Sequence, residues 1–188
     1  MKKLTLAFVL TIFCLTAIFA QDVKKESQKA ETKMEAFASK TGTIIRFQDY
    51  NLPNLRLYGG GISETRIRKY TAGGETKYFY QITKSAEYGD KTASIEYSDL
   101  LEVIKALKSL ESTLQSDVSK KPDYLENKFV TEDGFQLGYY VSSGKSKWYM
   151  KLEKYSSGST IFINEQSAIE NAFNGAKNKI EELKKPSN

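Results

Sequence analysis

The sequence predicts an α+β fold built from two related units, each an antiparallel four-stranded sheet followed by a helix (tandem ββββα), with room for an extra helix at the N-terminus. Three observations carry this expectation. Short β-branched and aromatic runs, separated by Gly-rich or polar turns, recur between residues 43 and 163. Long stripes of apolar residues at helical spacing follow the fourth and the eighth of these runs. Finally, one kind of strand-to-helix joint occurs twice, as TASIEYSDLLEVIKAL at 92–107 and GSTIFINEQSAIENAF at 158–173.

The chain opens on MKKLTLAFVLTIFCLTAIFA, in which two lysines precede an uncharged, mainly apolar run that closes on the small Ala20. That order is the order of a secretory signal peptide, with cleavage expected after Ala20. Leu4 to Ala20 is 17 residues, at the lower edge of what spans a bilayer, so an uncleaved anchor is the alternative. Cys14 follows Phe13 where a lipoprotein signal would want a small residue, which argues against lipidation. Removing residues 1–20 leaves 26 basic and 23 acidic side chains, a net charge of +3 over 168 residues and no excess that by itself calls for nucleic acid. The mature chain then has no cysteine, so burial must stabilise it without disulfides.

Residues 21–41 carry Val23, Ala30, Met34 and Phe37 near a 3.6-residue period and are read as an amphipathic or flexible N-terminal segment. The first ββββα unit is placed at 42–115. Its strands are TIIRFQDY (43–50), ETRIRKYT (64–71), KYFYQITK (77–84) and TASIEY (92–97), with NLPNLRLYGGG as a loop after the first. Ser98 and Asp99 are expected to start a helix whose stripe is Leu100, Val103, Ile104, Leu107, Leu110 and Leu114. Residues 116–126, with Pro122 among charges, read as a linker. The second unit, 127–185, has strands NKFVT (127–131), GFQLGYYVS (134–142), KWYMKLEKY (147–155) and STIFI (159–163). Its helix starts at Asn164, with Ile169, Phe173, Ala176, Ile180 and Leu183 on one side and Pro186 beyond its end.

Sliding one half over the other tests the repeat. At an offset of 70, Tyr70 meets Tyr140, Gly74 meets Gly144 and KYFYQITK falls on KWYMKLEK. At an offset of 66, Ile95 meets Ile161, and Val103, Leu107, Leu110 and Leu114 meet Ile169, Phe173, Ala176 and Ile180. Strand alternation assigns faces: Tyr78, Tyr80 and Ile82, with Trp148, Met150 and Leu152, should lie under the helix of their own unit. The opposite faces then present Arg66, Arg68, Tyr70 and Phe79 in one unit and Tyr140 and Tyr149 in the other. Those six residues are the candidate binding face. The competing reading is that the aromatics stack for stability or are buried between the sheets.

The chain has no histidine, which together with the absence of cysteine from the mature part excludes Ser-His-Asp and Cys-His catalysis and every His or thiolate metal site. Glu132-Asp133 and Glu181-Glu182 read as solvated charge. SSGK (142–145) matches a Ser-x-x-Lys motif but falls in a tight hairpin without its companion motifs. GYYVSSGKS spaces its glycines wrongly for a phosphate loop, and the Gly59–Gly61 run lacks the lysine and helix start that would make it one. No catalytic residue, cofactor or metal is therefore assigned.

Two units of four strands and a helix, joined through IEYSDLLEVIKAL and IFINEQSAIENAF, resemble the tandem repeats of the PUR-alpha and PC4-like (whirly) type. The resemblance spans about 43–184 and implies two curved sheets, two helices and single-stranded nucleic-acid binding on the sheets. A second parse takes 23–38 as a helix and is similar to tandem cystatin-like modules, in which a sheet grips a helix. The expected function is that of an exported, secreted or periplasmic, non-enzymatic binding or structural protein that uses a sheet face to contact a protein, peptide or carbohydrate. Single-stranded nucleic-acid binding ranks next, and a hydrolase working without His or Cys last.

Overall fold

The computed structural model describes residues 32–87 and 89–186. The expected signal peptide of residues 1–20 and most of the N-terminal segment 21–41 lie outside the described residues. The order of elements is α1 (Lys33–Ala38), β1 (Ile45–Arg56), β2 (Ile62–Ala72), β3 (Glu75–Lys84), β4 (Lys91–Glu96), α2 (Tyr97–Ser119), β5 (Leu125–Val130), β6 (Gln136–Ser142), β7 (Lys145–Lys151), β8 (Thr160–Ile163) and α3 (Gln166–Lys184). Two antiparallel sheets of order β1-β2-β3-β4 and β5-β6-β7-β8 are each followed by a helix. This is the α+β, tandem ββββα architecture expected.

The two sheets are similar in register as well as in order. Both central hairpins turn in two residues, Gly73-Gly74 and Ser143-Gly144, each with positive φ at both positions (57° and 84°; 51° and 74°). Such turns match the right-handed twist of the strands they join, and glycine takes positive φ without steric cost. Tyr80 pairs with Ile95 and Met150 with Ile161, while Phe79 pairs with Glu96 and Tyr149 with Phe162. Positions matched by the two sequence offsets therefore sit opposite matched partners.

Three boundaries differ from expectation. β1 runs on through Pro53 to Arg56 instead of ending near residue 50, because a register shift between Leu52 and Leu55 lets the strand pass a residue that has no N–H to give the ladder. Only Leu57–Gly61 remains as loop. α2 continues through residues 116–119, as its buried Asp117 and half-buried Val118 still face the core, so the linker shrinks to residues 120–124. The helices also start without the side-chain caps expected of Ser98 and Asn164: their N-caps are Glu96 and Glu165, neither making a side-chain cap bond. Each strand here runs almost directly into its helix, leaving no room for a capping turn.

One buried cluster spans both sheets and both long helices. It holds Ile67, Tyr80, Ile82 and Ile95 from the first sheet, Leu137, Tyr139, Met150 and Ile161 from the second, and Leu100, Val103, Leu107, Ile169, Phe173 and Ile180 from the helices. Within it each helix reaches past its own sheet. Phe173 of α3 meets the Tyr80 ring edge-on at 5.6 Å, and the Tyr78 hydroxyl donates to the Leu183 carbonyl at 3.2 Å. On α2, Asp117 accepts from the Tyr139 hydroxyl (2.7 Å) and from Asn127 (2.6 Å), both in the second sheet. The inner faces are those the alternation predicts; α2 packs on β3 as expected, and α3 of the other unit also reaches Tyr78 and Tyr80. Length supplies the reason. The 23 residues of α2 extend about 35 Å, against ~14 Å across four strands, so the helix overruns the sheet it follows.

Candidate functional site

The outer faces, turned away from the long helices, hold all six residues of the candidate binding face, and the structure treats the two sheets differently. On the first sheet α1 covers the aromatics. Its start is a capping box, in which the Thr32 hydroxyl accepts from the Glu35 N–H and the Glu35 carboxylate accepts from the Thr32 N–H. Phe37 then packs edge-on against Tyr70 at 6.3 Å, and Tyr70 against Phe79 at 5.9 Å. Tyr70 is 7% exposed and Phe79 fully buried in this satellite cluster, which also takes in Ala72, Met34 and Ile45.

Two tethers hold α1 in place. The Lys33 ammonium lies 2.7 Å from Asp99 at the start of α2, and the Lys33 N–H donates to the Asp133 carboxylate at 3.1 Å. Asp133 is thus not the solvated charge the sequence suggests. Burial pushes its carboxyl above the usual value, an effect the Lys33 N–H opposes. Glu132 beside it remains 82% exposed.

The arginines of this face are engaged as well. Arg68 makes a two-pronged contact with Asp49 (2.7 and 2.6 Å) and lies over the Phe47 ring, 4.6 Å from its centroid. Arg66 donates to Gln81 at 2.9 Å, and Gln81 in turn donates to Ser94. The Arg68 guanidinium, with Arg66 assisting, holds the Asp49 carboxyl below its ordinary range. Tyr70 and Phe79 are therefore covered and Arg66 and Arg68 engaged, while Phe47 beside them stays 56% exposed.

The outer face of the second sheet has no such cover among the described residues. Tyr149 is buried, only 7% exposed, its hydroxyl donating to the Glu126 carboxylate. Burial, then that carboxylate, drives the phenol well above its ordinary value, while the hydroxyl holds Glu126 below its own. Tyr140 is half-buried and belongs to a row of rings: Tyr124 stacks on it at 6.1 Å and 22°, and Phe162 meets it edge-on at 6.4 Å. Lys147, the cross-strand partner of Tyr140, carries the row on, its ammonium 5.0 Å from the Phe162 centroid and 3.5 Å from that of Tyr58. Tyr58 arrives from the β1–β2 loop, fixed by its N–H donating to the Phe162 carbonyl at 2.8 Å. Tyr124 and Tyr58, at the two ends, are 63% and 57% exposed.

Of the six predicted residues only Tyr140 and Tyr149 belong to this surface. Tyr58, Tyr124, Lys147 and Phe162 were not singled out by sequence. Phe162 was within reach, since alternation places it on the outer face beside Tyr149. Tyr58 and Tyr124 sit in a loop and in the linker, where no periodicity assigns a face. Among the described residues no group of three or more acidic side chains is placed to hold a metal, and no helix is long and apolar enough to cross a membrane. No protein-family model, curated protein or solved structure matches the chain.

Proposed function

We propose that the chain is an exported, non-enzymatic binding protein, secreted or periplasmic once residues 1–20 are removed, that contacts a macromolecular partner through the outer face of its second sheet. The observation that carries this reading is the uncovered row Tyr124–Tyr140–Phe162–Lys147–Tyr58, whose end rings are more than half exposed. Tyrosines offer a large, rigid contact area with a polar tip, and a contiguous exposed aromatic patch marks an interaction surface. A protein, peptide or carbohydrate suits stacked rings with one ammonium among them. The non-enzymatic reading is supported by a chain without His and by a face whose strongest perturbed groups, Glu126 and Tyr149, satisfy each other.

The test is binding of the mature chain to peptide and glycan arrays, repeated with Tyr124→Ser/Phe162→Ser and with Arg66→Ala/Arg68→Ala. Loss of binding in the first variant and retention in the second is the expected outcome. Equal loss in both sinks the assignment to the second sheet. Preferential binding to oligo(dT) that falls steeply with salt would replace it with a single-stranded nucleic-acid surface.

A further inference from the structure

The outer faces of the two sheets also differ in charge. Strand alternation and the registers of β5, β6 and β7 put Lys128, Lys145, Lys147 and Lys151 on the outer face of the second sheet, with Glu126 as the acid among them. Glu126 is already taken: it accepts from the Tyr149 hydroxyl and lies 3.4 Å from Lys128. Lys145, Lys147 and Lys151 make no ion pair among the described residues. The first sheet neutralises the matched positions. Lys77, which meets Lys147 at the offset of 70, lies 2.8 Å from Glu96, and at the offset of 66 Glu96 is matched by Phe162. Asp49 stands opposite Arg68 and binds it, whereas Lys128 stands opposite Gly138. Where the first sheet has carboxylates, the second has a ring and a lysine, and its face keeps an excess of positive charge.

Lys147 is held without being neutralised. Its ammonium lies over the rings of Tyr58 and Phe162, at 3.5 and 5.0 Å, and the negative face of a ring restrains a cation while leaving its charge. A cation restrained in advance loses less freedom when it meets an anion. Lys145 and Lys151 continue the file along β7, which covers roughly 20 Å from residue 145 to residue 151 at about 3.3 Å per residue. Such a file is complementary to a linear polyanion.

The rest of the face decides which polyanion. Single-stranded nucleic acid stacks successive bases on open rings. Here Lys147 lies on Tyr58 and Phe162, Tyr140 is stacked on Tyr124, and Tyr149 is buried, so open ring surface is confined to Tyr124 and Tyr58 at opposite ends of the row. A protein interface gathers apolar side chains at its centre and is depleted of lysine. The centre of this face is Gly138, flanked by Lys128 and the buried Tyr149. A hydrated chain of sugars needs neither a run of rings nor an apolar centre. Its hydroxyls find polar partners in Gln136 and Thr160, which stand on either side of Lys151.

We propose that the partner of this face is an anionic polysaccharide, its carboxylates or sulfate esters paired with Lys145, Lys147 and Lys151 and one of its sugar rings packed on Tyr124. The proposal rests on the assignment of the second sheet's outer face as the binding surface.

Titration calorimetry of the mature chain with polygalacturonate, dextran sulfate, neutral dextran, poly-glutamate and oligo(dT), the anionic probes matched in number of charges, tests it. At least one acidic glycan should bind saturably, about tenfold or more tighter than poly-glutamate or oligo(dT), and neutral dextran should not bind. The tighter of polygalacturonate and dextran sulfate identifies the anionic group. Lys145→Gln/Lys147→Gln/Lys151→Gln should weaken that glycan about tenfold or more with an unaltered circular dichroism spectrum, and Arg66→Ala/Arg68→Ala should leave it unchanged. Absence of saturable binding to either acidic glycan overturns the proposal, as does wild-type affinity in the lysine variant. Poly-glutamate or oligo(dT) binding as tightly would replace the glycan with an acidic peptide or a nucleic acid. A neutral ligand whose binding is lost in Tyr124→Ser/Phe162→Ser and kept in the lysine variant overturns this inference alone and leaves the face as the binding surface. Acidic-glycan binding kept in both variants overturns the inference and the face together.

Discussion

The two sheets share strand order, hairpin type and register, yet the central aromatics of one outer face are covered by α1 while a row of rings on the other reaches solvent at both ends. At matched positions Tyr70 is buried beneath Phe37 while Tyr140 is half-exposed and stacked on Tyr124. Arg68, locked to Asp49, is matched by Gly138, where the neighbouring strand comes too close for any side chain. The contrast teaches that a repeated strand pattern fixes which residues share a face, whereas flanking segments fix whether that face meets solvent. α1 comes from before the first unit and covers its sheet. The loop carrying Tyr58 and the linker carrying Tyr124 only frame the second.

The sharpest way to break the comparison is to truncate a ring on each face. Phe79→Ala should cost about 3–5 kcal/mol in urea unfolding, as expected for a buried aromatic, and Tyr140→Ala within about 1 kcal/mol. Equal costs would mean that α1 does not close its face. Next in size, Gly138→Ala should destabilise by about 3 kcal/mol, because the added Cβ would lie 2.3 Å from the Asn127 carbonyl oxygen and one of the two strands must move. Wild-type stability in that variant would show that β5 can yield.

The smallest effect concerns acid. Asp49 has its carboxyl lowered by Arg68, so its contribution is present above the ordinary carboxylate value of about 3.9 and is lost as pH falls through the lower folded value. Asp49→Asn should therefore be less stable than wild type at pH 7, by under 1 kcal/mol for so accessible a pair, and the difference should vanish in acid. A difference that persisted in acid would assign the effect to packing instead.

Both long helices, all eight strands and the inner-face residues were legible because periodicity is local. Tyr80 and Met150 alternate with polar neighbours whatever packs upon them. The candidate site was legible only in part. Strand alternation places Tyr70, Phe79, Tyr140 and Tyr149 on outer faces, but it does not register that Phe37, more than thirty residues before Tyr70, lies over one pair of them. Nor could it show Asp49 occupying Arg68, a contact made across β1 and β2.

The sequence alone determined the order of elements, the hairpins around Gly74 and Gly144, the sidedness of the second and third strands of each unit and the exclusion of His-based chemistry. These follow from backbone sterics, side-chain periodicity and composition. Only the tertiary structure decided that each long helix packs on both sheets, that α1 covers Tyr70 and Phe79 on one outer face, and that Tyr58, Tyr124, Phe162 and Lys147 meet on the other. Those outcomes depend on burying apolar surface between segments distant in the chain. Burial of that kind is set by the shapes that meet, and no local pattern encodes it.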